Sequence, residues 1–581
     1  MIAGAKQFFR DTWEAHSRRP FGSLLRVFLG RVFHGGGDSG DSGMDVALGV
    51  ILILLAMPGA LVSVLLFEKY GSLIRWMRGE APYNPFSASL PDEYFFIVLS
   101  MAVTGAAALW RWDALFLDRR DYANIVPLPV SLRRIFLGNL AAIFLFAAVL
   151  TLDVNAASFV LFPVAVAGSQ VSLAVFLRFA AGHAATVVLA SVFSFFAVFA
   201  VIGLLMALLP YALFRKVSLY ARFLIALFFL TLLATSFAVP SFLAEGTQIS
   251  TFASRLLPPV WFLGLGQTFW GNGANPAFAA LTRTALIALG LSLVIAFLAY
   301  ALSFRRSFVR IPESADAGPL PRSHFRFFRV SFFDRTILRD APQRACFHFI
   351  MRTLFRSESH LQIASAFFAM GLVVSAQALA STFHGNTATA LRIPSEELLS
   401  IPFILAFCIV AGIRLSLEVP SDLRANWVFA LWIDPGTLQA RAIARKILLS
   451  FSLVPLAPLC FVSSWLLWDF GAALLHTAVF AVCTFAFVEL LLVRFRKIPF
   501  TCTYPPFQSH SALILAAYLF GFIIFTSYLP ELDLWSLADP WRAIVFFPLI
   551  AAVLASIHFY RKQMLDMDKQ LIFEEFSASG F

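Results

Sequence analysis

The sequence predicts an all-α polytopic membrane protein, with about twelve transmembrane helices in two pseudo-repeated six-helix halves, each preceded by an amphipathic interfacial helix. Three observations carry this. Of 581 residues, 60% are hydrophobic and only 13% charged, with a mean hydropathy of +0.81, against about 25% charged in a soluble protein. The apolar residues fall in runs of roughly 17 to 25, the length that crosses a bilayer core. The 44 Lys and Arg outnumber the 33 Asp and Glu, and the surplus sits in short loops between apolar runs, which makes it a topology signal rather than a nucleic-acid footprint. A soluble enzyme is excluded.

Residues 1–44 are read as a cytoplasmic amphipathic helix and a tether. Phe8, Phe9, Trp13, Phe21, Leu24, Leu25 and Phe28 alternate with basic residues over Gln7–Phe33, and Gly35–Gly43 reads GGGDSGDSG, a flexible composition. With no long apolar core among the first forty residues, the first span itself directs insertion. The first half, 45–303, has expected spans near 46–67, 94–110, 135–165, 184–209, 221–242 and 279–303. The third run is too long for one straight crossing and contains Asp153 and Asn155, so it is expected to end near Leu152 and continue as an interfacial stretch. Residues 304–360 form a basic cytoplasmic linker in which Phe347, Ile350, Met351, Leu354 and Phe355 recur at helical spacing. The second half, 361–560, has expected spans near 361–382, 400–416, 447–469, 471–494, 511–528 and 542–560, and 561–581 is a cytoplasmic tail.

An even number of spans places both termini on one side. Putting them in the cytoplasm assigns about 36 of the 44 basic residues to inside loops, as the positive-inside rule demands. The loops after the second span of each half also match. Trp110–Asn139 and Ile413–Lys446 each run from a charged cluster through an Ala-Asn pair (Ala123-Asn124, Ala425-Asn426) and a Pro to basic residues at the next span, which indicates an internal repeat.

Chemistry-bearing motifs are scarce. No Gly is followed directly by Lys, so the phosphate-cradling GK[ST] loop is absent, as are HExxH and GxSxG. The five cysteines, Cys346, Cys408, Cys460, Cys483 and Cys502, form no CxxC pair, and neither a disulfide framework nor a zinc site is expected. No catalytic residue, bound cofactor or metal is expected on this chain. Ionisable residues inside spans mark ion pathways because each costs about 2.5–3.5 kcal/mol at a helix centre; the candidates are Asp153, His183, Arg283, His476 and Glu489. Glu489 is a possible ion site, with pairing to Arg494 or Arg496 as the structural alternative.

The loop Asp118-Arg119-Arg120-Asp121-Tyr122, followed by Pro127-Leu128-Pro129 and Ser131-Leu132-Arg133-Arg134, is a rigid turn and helix start of the kind that docks a soluble partner through charge pairs. In DRRDYANIVPLPVSLRRIFLGN the chain resembles membrane subunits of ABC transporters of the second, exporter-like type. Those subunits have six spans, an amphipathic helix before the first, and a coupling segment with a Leu-Pro-Val/Ile-Ser-Arg run leading into the third span. The segment around Asp422, Arg424, Asn426 and Trp427 looks like a divergent second copy, and Leu256–Gly271 lies where such permeases have an outer, partly re-entrant element. Two departures stand out: Asp118 or Asp121 occupies the place of a customary Glu, and Asn139 that of a Lys. The resemblance implies two fused permease halves in an inner (plasma) membrane, with cytoplasmic ATP-binding-cassette subunits as partners and ATP bound on those partners. The alternative is an ion-coupled secondary transporter with the same 6+6 plan; its weakness at this point is the shortage of carboxylates inside the spans.

Overall fold

In the computed structural model, residues 20–34, 55–71, 85–117, 125, 127–167, 172–236, 256–271, 276–309, 341–382, 391–419, 439–493, 495, 499–500 and 511–567 are described. They are helical throughout, with no strand among them. The chain divides into two compact units at Ala317/Gly318, inside the segment read as a linker.

The first unit opens with α1 (Pro20–His34), continues with a helix over 55–71 (α2), α3 (Leu90–Trp110), α4 (Leu132–Val166), α5 (Leu173–Leu208), α6 (Tyr211–Thr235) and the short α7 (Pro258–Phe269), and closes with α8 (Pro276–Ser303). The second comprises α9 (Ala341–Arg356), α10 (Glu358–Thr382), α11 (Glu396–Ser416), α12 (Gln439–Phe451), α13 (Leu453–Leu467), α14 (Phe470–Leu491), α15 (Ser511–Ile523), α16 (Leu529–Ala538) and α17 (Pro540–Met567). Among the described residues ten helices are long and apolar enough to cross a membrane, which makes this a multi-pass membrane protein. The two expected spans outside that set are α2, of which only 55–71 is described, and the run from Ser511 to Ala538, which a π-helical turn at Ile524–Tyr528 divides into shorter pieces.

Local sequence explains the helix starts. Pro91 opens α3 with Asp92 and Glu93 in its first turn, where carboxylates complement the helix dipole. Ser395 caps α11 by accepting from Leu398 N at 3.4 Å, and Asp469 caps α14 by accepting from Ala472 N at 2.9 Å. The expected end of the third span at Leu152 is corrected: α4 runs unbroken for 35 residues, about 52 Å at ~1.5 Å per residue, through Asp153 and Asn155. The helix survives because Asn155 finds partners on two neighbouring helices and leaves no unsatisfied amide in the apolar layer.

Both units seat an amphipathic helix against the start of their third span. On α1, Leu24 and Phe28 at helical spacing are buried with Ile135 and Ala142 of α4. On α9, Cys346, Phe347, Ile350 and Leu354 pack with Ile443, Ala444, Ile447 and Leu448 of α12. The core of the first unit is aromatic. Phe116 stacks on Phe199 at 4.5 Å between centroids, and Phe179 on Trp270 at 4.6 Å. Gly182 admits that indole: a Cβ there would lie 2.3 Å from Trp270 Nε1. The 12-residue α7, about 18 Å long, is too short to cross and packs against α3, α5 and α8, in the place of the expected re-entrant element.

Candidate functional site

Two features of the fold bring chemistry-bearing side chains together. The first is a polar ladder among α3, α4 and α5. The dipole-favoured first turn of α3 sends its two carboxylates in opposite directions. Asp92 faces outward, where Lys69 Nζ reaches it at 2.7 Å and Tyr70 Oη donates to it at 2.5 Å. Glu93 points inward, and its Oε2 lies 2.7 Å from Nδ1 of His183 on α5, both side chains 0% exposed. His183 Nε2 is 3.3 Å from Ser158 Oγ of α4, and the rings of Phe96 and Phe162 enclose the imidazole. The other carboxylate oxygen of Glu93 is buried without a hydrogen-bond partner.

Further along α3 the ladder continues. Ser100 Oγ donates to Asn155 Oδ1 at 2.5 Å, Asn155 Nδ2 donates to Ser191 Oγ at 3.3 Å, Thr104 Oγ1 donates to the Ser191 carbonyl at 3.3 Å, and Ser194 Oγ donates to the Met101 carbonyl at 2.6 Å. From Glu93 to Thr104 this covers about 16 Å of helix, half the depth of a bilayer core.

The second unit has its own buried histidine–carboxylate pair. His476 Nδ1 of α14 lies 2.5 Å from Asp533 Oδ2 of α16, at 2% and 0% exposure. Phe403 and Trp468 flank the imidazole edge-on, and Asp533 Oδ1 is buried without a partner. His183 lies in the first third of α5 and His476 in the first third of α14. Their acids come from different helices, and Glu396 and Glu397, at the start of α11 where Glu93 stands in α3, are exposed. Ionisable side chains inside membrane spans pair with one another in this way, and such pairs mark ion and proton pathways.

The sequence singled out His183 and His476 and missed Glu93 and Asp533. The apolar windows begin at 94 and end at 528, just inside both acids, so both read as loop residues.

The second feature is the basic turn leading into α4. Asp118, Arg119, Arg120, Asp121 and Tyr122 lie outside the described residues, as do Asp422, Arg424, Asn426 and Trp427 of the second loop. Pro127 and Pro129 stand in an exposed turn, and Arg133 and Arg134 are exposed in the first turn of α4, with no ion pair among the described residues. Two cations at a helix N-terminus oppose the dipole by about 0.3–1 kcal/mol each, so this surface favours a negatively charged neighbour. A reciprocal arginine clamp braces it from behind. Arg31 of α1 donates from Nε and Nη2 to the Ala114 and Phe116 carbonyls after α3, the Nε and Phe116 contacts at 3.0 and 2.7 Å, while Arg111 Nε donates back to Val32 O at 2.7 Å. Asn139 joins the two helices, donating to Leu115 O at 3.1 Å and to Tyr300 Oη at 3.0 Å. Hydrogen bonds therefore tie α1 to the end of α3, and the end of α3 to the start of α4.

No family model, curated protein or solved structure matches this chain. The argument for function rests on its own residues. Among the described residues no cluster of three or more His, Cys, Asp or Glu is placed to hold a metal. Cys346, Cys408, Cys460 and Cys483 are free and buried; Cys502 lies outside the described residues. Of the remaining span candidates, Arg283 occupies the N-terminal part of α8, and Asp153 in α4 has a buried Oδ2 without a partner. Glu489, near the C-terminal end of α14, accepts from Arg441, Arg445 and Arg561; Arg494 and Arg496, the partners expected for it, lie outside the described residues.

Proposed function

We propose that the chain is the membrane-spanning permease subunit of an ABC transporter, an exporter with two six-span halves fused, energised by separate ATP-binding subunits. The observation that carries this reading is the exposed Pro127–Arg134 surface, basic at a helix start and braced by the Arg31–Arg111 clamp. A soluble partner pressing there displaces α1, α3 and α4 as one body, which is how a docked ATPase does work on a bundle. The termini and both coupling loops then face the cytoplasm, ATP sits on the partner, and the cargo is amphipathic or lipid-like, in keeping with spans rich in Phe. The test is purification of the chain from its native membrane in mild detergent, with mass spectrometry of co-eluting proteins and an ATPase assay. A stoichiometric ATP-binding partner with vanadate-sensitive turnover supports the reading, and repeated isolation of the chain alone and inactive refutes it.

A second reading, an ion-coupled carrier with the same plan, is favoured by the two buried pairs Glu93–His183 and His476–Asp533, which supply the membrane carboxylates that seemed missing. Reconstituted into vesicles, such a carrier moves cargo on a pH gradient without ATP and loses that movement in Glu93→Gln.

A further inference from the structure

At the arginine-rich end of the second unit, α12, α14 and α17 converge on a cleft of about 200 Å³, lined by Arg445, Phe485, Glu489, Leu554, Ile557, His558 and Arg561. Arg441 and Arg445 share one face of α12 by their i,i+4 spacing, and His558 and Arg561 share one face of α17. The Glu489 carboxylate, 6% exposed, takes one hydrogen bond from each of three guanidinium groups: Arg441 Nη2 at 2.8 Å, Arg445 Nη1 at 3.0 Å and Arg561 Nη1 at 2.8 Å. Arg561 Nη2 also lies 2.5 Å from His558 Nδ1.

Charge arithmetic decides what this cleft holds. Three cations against one carboxylate leave two positive charges unneutralised among the described residues, on side chains that are 11%, 38% and 19% exposed. Taking cationic groups out of water without a matching anion is costly, so the arrangement repels a metal or coupling cation and favours an anion. A guanidinium presents five N–H donors and Glu489 uses one from each arginine, so donors remain for a planar fork onto phosphate oxygens.

The other wall names the carrier of that anion. Phe485, Leu554 and Ile557 are apolar, and α17 exposes Ile544, Val545, Leu549 and Phe559 along its length, a surface suited to acyl chains. Basic residues between spans at the positive side of a membrane are where anionic headgroups bind.

We propose that this cleft binds a phosphate group, carried by an anionic phospholipid of the adjoining leaflet. The phosphate lies against Arg445 and Arg561, which line the cleft, with Arg441 adding its charge through Glu489, and the glycerol and first acyl carbons lie against Phe485, Leu554 and Ile557. Glu489 acts as a built-in competitor that holds the arginines in register when the lipid is absent.

The test is native mass spectrometry of the delipidated full chain, titrated with phosphatidylglycerol, with zwitterionic phosphatidylcholine as control and inorganic phosphate as a separate arm. Phosphatidylglycerol should bind about tenfold more tightly than phosphatidylcholine, and Arg445→Gln and Arg561→Gln should each weaken it by about tenfold, the loss of one charge-assisted contact. Glu489→Gln should strengthen it several-fold, because it removes the competing carboxylate; a merely structural ion pair would not move binding in that direction. Arg561→Lys, which keeps the charge, controls for misfolding. Inorganic phosphate binding with the same order of variants, and no preference for phosphatidylglycerol, would overturn the lipid as carrier. Equal binding of the two lipids, or binding unchanged across the variants, would overturn the site.

Discussion

Glu93→Leu and His183→Leu should each destabilise the first unit far more than the double variant does. Both side chains are fully buried, 2.7 Å apart, with the Phe96 and Phe162 rings against the imidazole and the Ser158 hydroxyl as its other polar neighbour. Removing one member leaves the other in an apolar surround, a loss of about 3–5 kcal/mol for a broken buried pair. Replacing both by apolar residues removes the desolvation penalty together with the interaction, so the double variant should lie within about 1–2 kcal/mol of the native chain. At roughly 2 °C per kcal/mol for a unit of this size, each single variant should lower the midpoint by about 6–10 °C and the double variant by about 2–4 °C. Hydrogen-exchange mass spectrometry on a temperature ramp reads this locally, through protection of 90–110 and 173–208, while peptides of the second unit serve as an internal standard. A double variant whose loss equals the sum of the singles within about 0.5 kcal/mol would refute the pairing.

The remaining expectations are narrower. Arg133→Glu with Arg134→Glu should leave the chain inserted and folded but abolish co-purification of an ATP-binding subunit; retained association would rule out this surface as the docking site. Gly105→Ala should destabilise α3 packing by about 1–3 kcal/mol, because a Cβ there would meet Phe229 Cζ at 2.3 Å and Ser194 Oγ at 2.7 Å; a midpoint within 1 °C of the native chain counts against that contact. Arg31→Ala should cost about 1.5–3 kcal/mol, the worth of hydrogen bonds from a charged donor, and should raise hydrogen exchange selectively in 20–34 and 111–117. Uniform exchange across the unit would show that the clamp does not hold α1.

Much of the architecture was legible in the sequence because bilayer-spanning helices announce themselves by length and apolarity alone. The interfacial helices were visible in the spacing of Leu24 and Phe28 and of Phe347, Ile350 and Leu354, residues that the structure buries. The short helix at Pro258–Phe269 was anticipated only through the permease resemblance, which placed a partly re-entrant element at Leu256–Gly271. The polar site was half legible. His183 and His476 stand out inside apolar runs, but their acids are 90 and 57 residues away, and no local pattern encodes a pairing across that distance. Asn155 misled for the same reason: alone it reads as a break in a span, whereas Ser100 and Ser191 make it a link. Glu489 was seen, but all three of its arginines come from other helices, 44, 48 and 72 residues away, and nearer arginines in sequence were the natural guess.

The two units build their buried histidine–carboxylate pairs differently. In the first unit the acid that meets His183 sits on α3, at the far end of the helix whose other end carries the arginine clamp; a shift of α3 therefore acts on the Glu93–His183 pair and on the braced turn before α4 together. In the second unit the equivalent position on α11 holds exposed glutamates and the acid comes instead from α16, beyond a π-helical turn, so α11 meets the His476–Asp533 pair through the Phe403 ring and not through the acid itself. If the proposed docking at the turn before α4 is right, a force applied there reaches the buried Glu93–His183 pair through α3. On α11 the contact with the buried pair is a ring edge, Phe403 against His476, and not a charged partner. If the chain is driven by two docked ATPases, as proposed, the two strokes are unequal: disabling the first site by Arg133→Glu with Arg134→Glu should reduce transport more than the matching charge reversal at Arg424, and equal losses would show that coupling does not run through α3.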